Sequence, residues 1–158
     1  MPRMIAVSAA TVLAGVVPGT VLPNPVPAAV ERKCTSYNKY EGEHYQPKQL
    51  AQLAKQAGFT EEDLVIAVAV ALAESSGWTK AVLVNENCTT DRGLWQINDY
   101  WHPEVTEKQA FDPPTNVRVA YQIFMESQNW KPWSTFESGA YKENMDTARE
   151  AVKELNAS

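Results

Sequence analysis

Two carboxylates in this chain sit in settings that could do acid–base chemistry, Glu74 and Asp91. Glu74 ends the run Leu64-Val65-Ile66-Ala67-Val68-Ala69-Val70-Ala71-Leu72-Ala73, which has no solvated helical face. A carboxyl at the mouth of such a helix loses hydration when it ionises, so its pKa rises toward neutrality. A general acid requires that. On this residue alone the bland alternative, a solvated glutamate at a helix end, stays open. Asp91 lies seventeen positions on, directly before a Gly93-hinged segment carrying Trp95, Gln96 and Asn98. Its neighbours Thr90, Arg92 and Asn98 are polar, which favours its ionised form. One dry and one solvated carboxylate across a groove are the equipment of glycoside cleavage, and amides and indoles nearby suit a sugar polymer.

Helices must position the first carboxylate. Thr60 with Asp63 three residues later is a near-capping-box start for the apolar helix, and Ser75-Ser76-Gly77 stops it. A shorter helix opens at Pro47, carries Leu50, Leu53, Ala54 and Ala57 on one face, and ends at Gly58. Trp78 to Asn87 reads as irregular or short helical. Turn formers from Asn87 to Thr90 make Asp91 to Asn98 a short hairpin or extended segment. Phe111-Asp112-Pro113-Pro114 predicts a turn before a helix over Thr115–Ser127, with Val117, Ala120, Tyr121 and Phe124 inward. A charged helix over Lys142–Leu155 has Met145, Ala148, Ala151, Val152 and Leu155 as its stripe. The fold class is mainly α, of α+β type, with a small β or extended segment.

Glu74-Ser75, the seventeen-residue gap, Thr90-Asp91-x-Gly93-Leu94-x-Gln96-Ile97-Asn98 and then Trp101 resemble the active-site segment of the lysozyme-like superfamily. The likeness is to animal-type lysozymes and to the soluble lytic transglycosylase domains of bacteria and their phages. It extends more loosely from Leu50 to Tyr141. The resemblance implies a lysozyme-like fold whose cleft lies between the helices and the Asp91–Asn98 segment. It further implies peptidoglycan glycan strands as the partner, cleaved at the β-1,4 bond between N-acetylmuramic acid and N-acetylglucosamine. Lysozyme is the type case of two carboxylates tuned apart by environment. Under that scheme Glu74 protonates the leaving oxygen. In a hydrolase Asp91 is then nucleophile or charge stabiliser. In a transglycosylase Glu74 turns base and the muramic 6-hydroxyl attacks, giving a 1,6-anhydro product.

The same resemblance makes Ser75, Gln96, Asn98 and Trp101 candidate substrate-binding residues, Trp101 at the place of a sugar-stacking tryptophan. Trp95 is expected in the core. Asn116 is similar to a mainly structural asparagine of the transglycosylase-like members. Trp133 and Tyr141 resemble the far wall of the groove, with substrate contact, acid positioning and core closure all open. A catalytically silent glycan-binding or virion/envelope structural protein is the alternative from another class.

A chain of 158 residues fits one catalytic domain, read here as residues 46–158 behind a surface segment at 30–45. The net charge of −5 gives no basic patch for nucleic acid and no attraction to acidic cell walls. Within residues 1–29 Arg3 is the sole charge, Met4 to Val17 is an apolar run, and the stretch from Pro18 to Pro27 holds four prolines. That layout predicts a secretory signal cleaved near Ala28 or Ala29. An uncleaved anchor and an extended arm in an assembly are the alternatives, the run being too short for a stable membrane span. The expected location is therefore secreted or cell envelope, and the expected state a monomer unless built into a virion or envelope. Cys34 and Cys88 are the only cysteines, and an even count behind an export signal points to one disulfide, two separate thiols being the alternative. Two cysteines and two distant histidines make no zinc site, and no cofactor is expected. No serine or cysteine nucleophile accompanies His102, which belongs at the groove rim or in solvent.

Overall fold

A computed structural model describes residues 33–158, so the expected signal or arm at residues 1–29 lies outside the described residues. In chain order the elements are β1 (Tyr37–Lys39), α1 (Pro47–Ala57), α2 (Glu61–Ser75), β2 (Val82–Val84), β3 (Thr90–Arg92), β4 (Ile97–Asn98), α3 (Glu107–Ala110), α4 (Pro113–Ser127), α5 (Ser134–Glu137), a 3₁₀ turn (Ala140–Asn144) and α6 (Met145–Asn156). The chain is mainly α with one small antiparallel sheet.

The apolar run became α2, the axis of the core, flanked by α1, α6 and the 3₁₀ turn. Ala67 through Ala71 are fully buried, and the alternation of alanine with valine lets helices approach from several sides. Its N-terminus differs from expectation: the Thr60 side chain makes no capping bond. The first-turn carboxylates serve tertiary contacts instead. Glu62 pairs with Arg149 of α6 at 3.0 Å, and Asp63 accepts from the Trp130 indole at 2.9 Å. At the other end Ser76 takes the left-handed conformation and its N–H bonds the Leu72 carbonyl.

The sheet runs β1-β2-β3-β4, with Leu83 opposite Asp91 and Asp91 opposite Asn98. Two of its strands differ from the sequence expectation. Residues 82–84 form a strand within the stretch read as irregular or short helical, and residues 37–39 an edge strand within the presumed surface segment. Three residues are too short to display a period, so their pairing is set by neighbours rather than by their own pattern. The hairpin expected over Asp91–Asn98 is present as β3 and β4. α4 starts at Pro113, earlier than expected. Asp112 caps it by accepting from the Thr115 N–H at 3.0 Å, and the two prolines fill first-turn positions that need no N–H. The last helix begins at Met145, after the 3₁₀ turn, rather than at Lys142.

Cys34 and Cys88 are bonded, with Cα atoms 5.1 Å apart across a 54-residue separation. The bridge ties the chain before β1 to the turn between β2 and β3, beside Asp91. Constraining a loop of that length stabilises a fold by about 2–4 kcal/mol. The double variant Cys34→Ser/Cys88→Ser should therefore unfold at a correspondingly lower temperature, read by circular dichroism. An unchanged midpoint would remove the bridge from the stability account. Among the described residues no helix is long and apolar enough to cross a membrane.

Candidate active site

Glu74 lies in the last turn of α2 and opens into a cleft of about 660 Å³. One side of the cleft is Asp91, Gln96, Ile97, Asn98, Trp101 and His102 from the sheet and the loop after it. The other is Ile123, Glu126 and Ser127 of α4 with Pro132, Trp133 and Ser134. Burial pushes the Glu74 carboxyl from the usual 4.5 up to about 7, the nearby Asp91 charge pushes the same way, and hydrogen bonding from Thr135 pulls back. The Thr135 hydroxyl donates to Glu74 Oε1 at 2.6 Å.

Asp91 is held from both sides. Asn85 Nδ2 donates to its Oδ2 at 2.9 Å and Asn98 Nδ2 to its Oδ1 at 2.6 Å. Both amides also donate to Thr89 Oγ1 at 3.1 Å, so three side chains brace one carboxylate. The β3–β4 register supplies Asn98 directly opposite, and the β2–β3 turn returns Asn85 to the same edge. Asn98 does a second job: its Oδ1 accepts from the N–H groups of Tyr100 and Trp101 at 3.0 and 3.3 Å. That turn leaves Trp101 73% exposed at the cleft, with its ring edge-on to Tyr100. An exposed indole on the cleft wall is suited to stacking on a sugar face.

Gln96 lines the cleft in a left-handed conformation, its amide donating to the Ala81 and Gly93 carbonyls at 3.0 and 2.9 Å. Trp133 does two jobs: it is buried, donates to the Trp95 carbonyl at 3.0 Å, and walls the cleft. Two sequence candidates lie elsewhere. Ser75 is fully buried, donates to the Ala71 carbonyl at 2.9 Å and accepts from the Gly77 N–H, closing the end of α2. Tyr141 stacks on Phe136 with centroids 4.6 Å apart and does not line the cleft. His102 faces the cleft, 3.5 Å from Glu104. Trp95 is fully buried, its indole donating to the Ala67 carbonyl at 3.0 Å.

Nothing in the sequence marks Thr135 or Asn85 as members of the site. Thr135 stands sixty-one residues from Glu74, with no local signal to connect them. Asn85 meets Asp91 only through the pairing of β2 with β3. Ile123, Glu126 and Ser127 have helical spacing, but on a face beside the apolar stripe that was read.

The hairpin is pinned by Asn116, which is fully buried. It accepts from the Trp95 N–H at 2.9 Å and donates to the Arg92 and Ala110 carbonyls at 3.0 and 2.7 Å. Asn116→Ala leaves those buried groups without partners and should cost about 3 kcal/mol or more. Gly93 has φ +80°, and a Cβ there would lie 2.1 Å from the Ala110 carbonyl oxygen and 2.4 Å from Asn116 Nδ2. Gly93→Ala should therefore be at least as damaging. Urea unfolding of both variants tests this; wild-type midpoints would contradict it.

Among the described residues no group of three His, Cys, Asp or Glu side chains is placed to hold a metal ion. A family model described as a lysozyme-like domain matches residues 51–135, which include Glu74, Asp91 and Thr135. The chain belongs to the lysozyme-like domain family. At family level this lysozyme-like protein is a peptidoglycan-acting, lytic enzyme, grouped with glycosidases and transglycosylases. No curated protein matches it.

Proposed function

We propose that this protein is an exported peptidoglycan glycosidase that cleaves the β-1,4 bond from N-acetylmuramic acid to N-acetylglucosamine. The observation that carries the reading is the pairing within one cleft of a buried carboxyl raised to about 7 with a second carboxylate braced by two asparagine amides. Near neutral pH a substantial share of Glu74 carries a proton to give. That proton passes to the glycosidic oxygen as the bond to the sugar carbon breaks, the bonding electrons leaving with the oxygen. Positive charge develops on the muramic ring, and Asp91 stabilises it or bonds to it. Water activated by the Glu74 carboxylate then completes hydrolysis. Trp101 supplies a stacking face, and Gln96 and Trp133 shape the groove. Export is supported by the Cys34–Cys88 bond, since disulfides persist in oxidising compartments.

The hydrolase reading is supported by the place of Asp91 in the same cleft as Glu74, its carboxylate held by two asparagine amides. The transglycosylase reading is favoured by the Asn116 and Trp133–Tyr141 segments, which resemble that branch. Mass spectrometry of muropeptides released from purified sacculi decides between them. Reducing-end products support the hydrolase and 1,6-anhydro products the transglycosylase. The release of no products supports a catalytically silent glycan-binding or virion/envelope structural protein.

A further inference from the structure

Thr135 is the one side chain hydrogen-bonded to Glu74 among the described residues, and its contact is short, 2.6 Å from Oγ1 to Oε1. It comes from α5, a different element from the helix that carries Glu74 and from the sheet that carries Asp91. A hydroxyl that donates to one carboxyl oxygen leaves the other to carry the acidic proton. Once that proton is gone, the same bond becomes charge-assisted and roughly twice as strong. It therefore favours the carboxylate more than the acid, an interaction that grows as the proton is transferred.

We propose that Thr135 is the positioning residue of the catalytic acid. Its hydroxyl occupies Glu74 Oε1 in both protonation states, so Oε2 holds the transferable proton and the carboxylate left behind meets a donor already in place. This rests on the reading of Glu74 as proton donor. During the step the proton moves from Oε2 to the glycosidic oxygen, the C–O bond breaks with its electron pair going to that oxygen, and Thr135 keeps its own hydrogen. The other titratable groups in the cleft are Asp91 of β3, Glu126 of α4 and His102 after β4, and the lining contains no lysine or arginine. Thr135 thus offsets the burial and the Asp91 charge acting on Glu74 through both its hydroxyl and its backbone N–H, and of these a side-chain substitution removes the hydroxyl alone.

The experiment compares wild type, Thr135→Val, Thr135→Ser and Glu74→Gln by two readouts. The first is the titration of the Glu74 carboxyl carbon by ¹³C NMR, which needs no substrate. The second is the pH dependence of kcat and KM on purified sacculi. Thr135→Val should raise the Glu74 midpoint by about one pH unit and lower kcat by about tenfold with KM little changed. Thr135→Ser should restore both. An unshifted midpoint in Thr135→Val, or a serine variant as impaired as the valine one, overturns the proposal. If valine prevents folding, the NMR titration of Thr135→Ala replaces it with the same expected shift. A fully active Glu74→Gln would instead overturn the proton-donor reading, even where the Thr135 variants move the Glu74 midpoint.

Discussion

Glu74→Gln should lower turnover on purified sacculi by about 10²–10⁴-fold, the usual worth of a general acid, while the protein stays folded. Glutamine keeps an oxygen for the Thr135 hydroxyl and matches the volume of the side chain it replaces, but it has no proton to give. A second consequence follows from the raised pKa. The folded state holds a proton on Glu74 up to about pH 7, while the unfolded chain releases it near 4.5. Between those values the native state binds more protons than the unfolded one, so the Glu74 contribution to stability is fully present below pH 4.5 and is lost as pH rises through 7. The size of that loss is at most about 3 kcal/mol. In Glu74→Gln this contribution to the fall is absent, so the variant should match or exceed wild type in stability at pH 8 while being nearly inactive. Urea unfolding at pH 4 and pH 8, with turnover measured on the same samples, checks both halves. Turnover within a few-fold of wild type would reject Glu74 as the donor. An identical pH slope in the two proteins would reject its burial as a protonated acid.

Asp91→Asn should remove most of kcat, roughly 10²–10³-fold for the loss of a charge aimed at the developing cation, with glycan binding little changed. It should also destabilise the hairpin. Both oxygens of Asp91 accept from asparagine amides, so an amide at position 91 sets one N–H group against another. That mismatch costs about 1–3 kcal/mol. The two effects are separable by measuring turnover per folded molecule beside the thermal midpoint. A destabilised variant that turns over at the wild-type rate would assign Asp91 to bracing the turn before Gly93. It would also move the enzyme into the transglycosylase branch.

The contrasting settings of the two carboxylates were legible in the chain because each depended on local composition. Ten apolar residues leading to Glu74 specify a buried helix with a carboxyl at its mouth whatever surrounds it, and burial alone raises that pKa. The hairpin over Asp91–Asn98 was legible from its turn formers and Gly93, and the fold class from helices long enough to show their period. The bond from Cys34 to Cys88 followed from there being two cysteines to pair.

What only the tertiary structure decided is which distant groups meet these carboxylates. Thr135 reaches Glu74 because α5 packs against the end of α2, and no pattern spanning sixty-one residues announces that contact. Asn85 reaches Asp91 through a β2–β3 pairing whose three-residue strands are too short to carry a signal of their own. Ser75, adjacent to Glu74 in sequence, turned into the core, because the next residue on a helix points about 100° away from the one before it. Local pattern determines what a residue's own element does with it. The partners that tune its charge come from other elements, and their approach is set by packing alone.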